Sequence, residues 1–254
     1  MDALIERAVE DLAVARRGLV LTGAGVSTES GIPPFRGKGG LWEKFDPMEV
    51  GHIDAFMRDP AAVWNTLFLE LGRMLKNARP NAAHFGLAEL ERLGKVDTII
   101  TQNIDGLHQR AGSTQVIEFH GTFARQRCMA CDKRTATDEL DLTRIPPRCE
   151  CGGLIRPDCI LFGEIIPGGD LNRARESASR CDVLLVVGTS AVVQPAAMIP
   201  LIARDHGARV IEINTEPTPL TGRVSDYLVR GSAGAVLETV IDLLNRKESS
   251  GGKR

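Results

Sequence analysis

Residues 18–37 read GLVLTGAGVSTESGIPPFRG, and this stretch decides the fold. GLVLT is a short apolar run, a buried strand. It leads directly into Gly23-Ala24-Gly25, where glycine lets the backbone turn tightly and approach a pyrophosphate. A helix starting there would add free N–H donors and the positive end of its dipole. Thr28 stands where a third glycine is customary, so the GxG alone reads equally well as a plain turn.

Working outward, strands are expected at Val96 to Thr101, Val183 to Val187 and Ala208 to Ile213, and helices at 61–77, 81–94, 171–180, 195–205 and 234–245. Asn81 follows Pro80 and precedes the apolar positions Phe85, Leu87, Leu90 and Leu93, so it should cap its helix. The N-terminus predicts an amphipathic helix with Leu4, Ala8 and Leu12 on one stripe. Strands alternating with helices mean an α/β protein with an open, mostly parallel sheet. Residues 128–153 break this rhythm with cysteines, prolines and charges, and read as an insertion with its own small core. The polar, glycine-rich tail, 248–254, is expected to be disordered.

Among the 254 residues, 43% are hydrophobic and 25% charged, with a formal net charge of −2. That balance gives no strong nucleic-acid signal. No apolar run is long enough to cross a bilayer, and the expected setting is the cytoplasm. Of six cysteines, four form the pattern Cys128-x2-Cys131 and Cys149-x-Cys151. Four thiolates in two knuckles suit one tetrahedral zinc ion, and with no open coordination position that ion is structural. A nucleic-acid-binding ribbon is the competing reading, opposed by Asp132, Asp138, Glu139, Asp141 and Glu150 among its basic residues. Cys159 and Cys181 read as core residues.

Gln102, Asn103 and Asp105 follow a strand end, where α/β folds bind ligands, although taken alone they read more readily as caps of a helix beginning at Asp105. His120 alone among the five histidines ends a strand beside a glycine, and imidazole suits a general base. The others, His52, His84, His108 and His206, read as surface or packing residues. Asn214 ends a strand where an amide can meet a ribose hydroxyl, or simply form a turn.

In order, these motifs are residues 23–37 with Gly40-Leu41-Trp42, then Gln102-Asn103-Ile104-Asp105, His120-Gly121 and the paired cysteines. Phe162-Gly163-Glu164, Gly188-Thr189-Ser190 with Gln194-Pro195-Ala196, and Ile213-Asn214 follow. Together they resemble the sirtuin family, its prokaryotic members in particular, over residues 18–234. The resemblance implies a Rossmann-like parallel sheet with helices on both faces, plus a smaller domain made of a zinc ribbon and a helical insertion. It divides one catalytic unit, 1–247, into a large part (1–34, 79–122 and 163–247) and a small part (35–78 and 123–162).

The implied activity is NAD-dependent deacylation of lysine in proteins, deacetylation above all. The acyl-lysine oxygen attacks the anomeric carbon as nicotinamide leaves, and His120 then takes a proton from a ribose hydroxyl. Free lysine, nicotinamide and O-acyl-ADP-ribose result. Asn103 would assist the chemistry by ordering a water or ribose group. Ile104 and Asp105 would hold the carboxamide, and Gln102 the adjoining ribose. Phe35 would cover the sugar, and Arg36 would aid positioning. Gly23, Ala24, Gly25, Gly188, Thr189, Ser190, Asn214, Ser232 and Ala233 would complete the NAD site. The peptide would add as a strand along Ile160, Phe162, Gly163 and Glu164.

Three departures stand out. Pro34 replaces a polar residue and stiffens the loop. Leu161 stands where the family usually has a bulky aromatic. Leu67 and Glu70 occupy the positions of a Tyr/Arg pair found in succinyl- and malonyl-preferring members, so an apolar acyl pocket is expected, with Arg73 the nearest alternative cation. A protein ADP-ribosyltransferase using the same NAD site, or a zinc-stabilised binding module, are the alternatives. The sequence leaves substrates and oligomeric state open.

Overall fold

Gly18–Thr22 forms β1 and is buried along its whole length in this computed structural model, which describes residues 2–37 and 39–251. Eight more strands follow: β2 Thr98–Thr101, β3 Val116–Glu118, β4 Gly121–Cys128, β5 Arg134–Ala136, β6 Ile155–Cys159, β7 Val183–Val187, β8 Arg209–Asn214 and β9 Tyr227–Arg230. Six make one sheet in the order β3-β2-β1-β7-β8-β9, and every neighbouring pair is parallel.

Strand side chains alternate between two faces, and both faces are apolar. Val20, Ile99, Leu185 and Ile211 pack against Ile5, Leu87 and Leu237 from the helices Asp2–Val14, Ala82–Arg92 and Ala233–Gly251. Their neighbours Leu19, Leu21, Ile100, Leu184 and Val210 pack on the opposite face against Ala174, Ala178 and Ala203, from Gly168–Arg180 and Ile199–Asp205. Each fully buried Leu or Ile contributes roughly 2 kcal/mol. The expected Rossmann-like layering is therefore present. The chain leaves β1 toward β2 and leaves β7 toward β8, so the strand order reverses between β1 and β7, and a crevice opens at their carboxyl ends.

A second sheet, β5-β4-β6, is antiparallel and carries the cysteine knuckles. It shares a core with the helical insertion, in which Phe56, Trp64, Leu67, Phe68 and Leu71 meet Phe123 and Leu161. The Trp64 indole N–H donates to the Ile155 carbonyl at 3.0 Å, tying helix to ribbon. The expected helix over 61–77 is interrupted. Pro60–Val63 passes through a π-helical turn, Trp64–Phe68, into Leu69–Asn77.

Asn81 caps its helix as expected. Its side chain accepts from the Ala83 N–H at 2.9 Å, and His84 Nδ1 accepts from the Asn81 N–H at 3.3 Å. The segment after the glycine turn is a short 3₁₀ helix, Ala24–Ser30, closed by Gly31 at φ 82°, and not an α-helix. The last helix continues through Gly251, past the point where a disordered tail was expected, because Val236, Leu237, Val240 and Leu244 anchor it and adding residues to a formed helix costs little. Residues 252–254 of that tail lie outside the described residues. Among the described residues, no helix is long and apolar enough to cross a membrane.

Candidate active site

A cavity of about 1080 Å³ occupies the crevice between the two sheets. Gly23, Ala24 and Gly25 line one wall, with Gly188, Thr189 and Ser190 beside them. The two loops touch. The Gly25 N–H donates to the Gly188 carbonyl at 2.8 Å, and a Cβ on Gly25 would lie 2.7 Å from that oxygen. These glycines are thus required by close packing of loop on loop at the reversal point. Two of the N–H groups expected to be free for phosphate are consequently spent, that of Gly23 on Val187 at 3.1 Å and that of Gly25 on Gly188.

Asn214, Ser232 and Ala233 line the far end, with the segment Thr215 to Pro219, which was not singled out from the sequence. The Asn214 amide donates to the Thr189 carbonyl at 2.9 Å, bridging β8 to the Gly188 loop.

Gln102, Asn103 and Ile104 line the cavity beyond β2, together with Phe35 and Arg36. Asn103 is buried and donates to the Gly23 carbonyl at 3.1 Å and to Ser27 Oγ at 3.0 Å. Asp105 differs from expectation: it lies behind the wall. One carboxylate oxygen accepts from Ser27 Oγ at 2.7 Å and the other from the Leu107 N–H at 2.9 Å.

Beneath it sit two buried histidines that the sequence reading set aside. His84 Nε2 approaches Ser27 Oγ at 3.4 Å, and His108 Nε2 lies 3.0 Å from Thr22 Oγ1. Because His84 Nδ1 accepts from a backbone N–H and the Ser27 proton goes to Asp105, His84 Nε2 is the donor to Ser27. Burial lowers both imidazole pKa values, that of His108 to about 3, with Asp105 partly offsetting the effect at His84. The Asn81-to-His84 capping spacing was the available signal for His84.

His120 lines the same cavity at the end of the β3 segment. Its Nδ1 lies 3.1 Å from the Gln102 carbonyl, which can only accept. Nδ1 therefore carries the hydrogen and Nε2 keeps its lone pair. Burial also lowers the pKa of His120, which keeps the ring neutral.

Ile160, Phe162, Gly163 and Glu164 form the opposite wall. The Glu164 carboxylate, expected to face a peptide, is engaged by Arg156 and by the Leu161 N–H.

One cleft therefore unites a glycine loop at the sheet reversal, a tautomer-fixed histidine and a short extended segment. Residues 23–195 match the family model described as Sir2 family. The chain belongs to the Sir2 family. It is 49% identical over 93% of its length to NAD-dependent protein deacylase 2 of Pyrobaculum aerophilum, covering 94% of that protein. It is 46% identical to NAD-dependent protein deacylase of Aquifex aeolicus, over 92% of this chain and 98% of that protein. A crystal structure of a Sir2 homologue–NAD complex superposes with a TM-score of 0.88 at 44% identity, covering 95% of this chain and 94% of that one. A Sir2–p53 peptide–NAD+ complex matches at a TM-score of 0.87 and 34% identity, over 95% and 99% of the two chains.

In this Sir2 protein the four knuckle sulfurs all lie within 4.8 Å of one another. Cys128 and Cys151 are 3.5 Å apart and Cys131 and Cys149 3.8 Å. Zinc–sulfur bonds of about 2.3 Å in a tetrahedron place sulfurs roughly 3.8 Å apart, so the four residues fit a zinc ion with no position left for water. The N–H groups of Cys131 and Ala130 pull the Cys128 thiol down to about 6, while the neighbouring Cys151 and Cys128 sulfurs push that of Cys131 up to about 12.

The π-turn sets the inner end of the cleft. Leu67, Phe68 and Leu71 line it, whereas Glu70 turns outward to Arg73 at 3.5 Å. Of the two positions that stand for the Tyr/Arg pair, only Leu67 reaches the wall, and Leu71 takes the place beside it. Arg73, with 72% of its side chain exposed, does not approach the pocket.

Proposed function

We propose that this protein is an NAD-dependent protein-lysine deacylase acting on acetyl or other apolar acyl groups, with acyl-lysine-bearing proteins as substrates. The observation that carries the reading is His120, held by the Gln102 carbonyl with Nε2 unprotonated, in the cavity that the glycine loop and residues 160–164 share. NAD, when bound, supplies a glycosidic carbon whose nicotinamide leaves as a neutral molecule, and a ribose hydroxyl that takes up the acyl group.

The residues divide the remaining work. Gly23 to Gly25, Gly188 to Ser190, Asn214, Ser232 and Ala233 would hold the dinucleotide. Gln102, Asn103 and Ile104 would orient its inner ribose and carboxamide, with Asp105 steadied through Ser27 and supporting Asn103 from behind. Phe35 and Arg36 would cover the sugar and exclude water. His120 Nε2 would accept a ribose hydroxyl proton. Leu67, Phe68 and Leu71 would receive the acyl group, a wall that disfavours a succinyl carboxylate. The four-cysteine site would hold one structural zinc. The presence of two separate sheets supports a division into a large and a small domain, and a reducing compartment, the cytoplasm, suits four metal-binding thiolates.

Nicotinamide release that requires both NAD and an acyl-lysine peptide, and disappears in His120→Ala, tests the reading. NAD-derived label appearing on protein with no lysine freed would replace it with ADP-ribosyl transfer.

A further inference from the structure

Arg156, on β6, has the largest fully buried side chain among the described residues, at 0% exposure. A guanidinium out of water is tolerated only when its donors are met. Nη1 donates to the Cys159 carbonyl at 2.7 Å, Nε reaches Met129 Sδ at 3.1 Å, and Nη2 donates to the Glu164 carboxylate. The second oxygen of Glu164 accepts from the Leu161 N–H at 2.8 Å, and the Glu164 N–H donates to the Leu161 carbonyl at 3.1 Å. Glu164, which Arg127 Nη2 also approaches at 3.7 Å, thus ties both ends of the turn 161–164 to the three-stranded sheet.

The rest of the segment is fixed from the helical side. The Phe162 N–H donates to the Gly51 carbonyl, and its carbonyl accepts from the Ile53 N–H, both at 2.9 Å. The Ile160 N–H donates to the His120 carbonyl at 2.9 Å. Among the described residues, the carbonyl of Ile160 and both main-chain groups of Gly163 have no partner. The segment is held from both sides, and Ile160 and Gly163, which carry its open hydrogen-bonding groups, line the cavity.

We propose that Arg156 and Glu164 are a positioning pair that pre-sets residues 160–163 to receive the extended acyl-lysine peptide through those open groups. The pair touches no reacting atom; it acts through the backbone it holds, lowering the ordering cost of substrate binding. This rests on the reading above that the peptide adds as a strand along these residues.

Steady-state kinetics of Glu164→Gln on the full chain test it. The Michaelis constant for acyl-lysine peptide should rise by about tenfold while that for NAD stays within about twofold, because the neutral amide leaves Arg156 buried without its counter-charge. Arg156→Lys, which keeps the charge and loses the fork, should fall between wild type and Glu164→Gln. An unchanged peptide constant, or peptide and NAD constants rising together, overturns the proposal.

Should Glu164→Gln not accumulate as folded protein, amide exchange of the wild type decides. A Leu161 amide protected before peptide is added supports the pair; one that exchanges freely until peptide is added overturns it. A peptide with an ester in place of the acyl-lysine main-chain amide separates the two ideas. Wild-type indifference to the ester removes the strand reading and the proposal with it. Sensitivity to the ester combined with an unchanged constant in Glu164→Gln removes only the role of the pair.

Discussion

The Nδ1–H of His120 donates to the main-chain carbonyl of Gln102 across 3.1 Å, so a residue in the turn after β3 is oriented by the residue just beyond β2. Burial lowers the His120 pKa, and the bond to Gln102 offsets this only in part. The neutral ring is the active form, present above that lowered pKa and lost as pH falls through it. The acidic limb of the rate profile should have its midpoint below 6.5. A midpoint above 6.5 would contradict the assignment of His120 as base.

His108 links acid to unfolding. Its pKa is about 3 in the fold against 6.5 when exposed, so between those values the unfolded chain binds the extra proton. Stability is complete above 6.5 and declines as pH falls toward 3, by about 3 kcal/mol at pH 4.5. Tm measured from pH 7 to pH 4 should fall, and His108→Gln should flatten that slope. Parallel slopes in the two proteins would exclude His108 as the cause.

Gly25→Ala places a methyl 2.7 Å from the Gly188 carbonyl oxygen, with only backbone there to yield. A loss on the order of 2–3 kcal/mol and weakened ADP-ribose binding are expected. Urea unfolding with calorimetric titration checks both, and wild-type values for either would show that the loops have slack.

These examples mark what could be read in the chain beforehand. The strand positions, the glycine turn, Asn81, His120 and the cysteine pairs each depend on near neighbours in sequence, and all appear in the fold. Asp105 and Glu70 were placed facing ligand, yet one is drawn back by Ser27 and the other turned out toward Arg73. Both reversals come from partners or backbone shifts that local spacing does not encode: a serine 78 residues away and a π-turn that changes the phase of the helix. His84, His108 and Arg156 stayed hidden for a related reason, since burial of a polar side chain depends on long-range contacts that supply its hydrogen bonds.

That π-turn makes a substitution test. Glu70→Arg should leave the ratio of succinyl- to acetyl-lysine turnover within about twofold, since the side chain faces outward. Leu71→Arg should raise the ratio by about tenfold through a carboxylate–guanidinium pair. Because both substrates are assayed on one preparation, partial misfolding does not enter the ratio. A large change in Glu70→Arg alone would reverse the assignment.

Zinc removal should be destabilising, since a structural site of this kind contributes about 10 kcal/mol or more of apparent binding energy. One zinc per chain is expected by metal analysis. Chelation should lower Tm and activity, and equimolar zinc should restore both. Full activity in a preparation stripped of metal would remove the ion from the account of the fold.

His120 is followed at once by β4, where the chain leaves the parallel sheet for the ribbon. Its ring is bonded to Gln102 on one side of that passage, and its own carbonyl takes the N–H of Ile160 on the other. The proton acceptor thus stands where the two sheets join. A shift of one sheet against the other would therefore strain two bonds that meet on this single residue, and the imidazole would register it first.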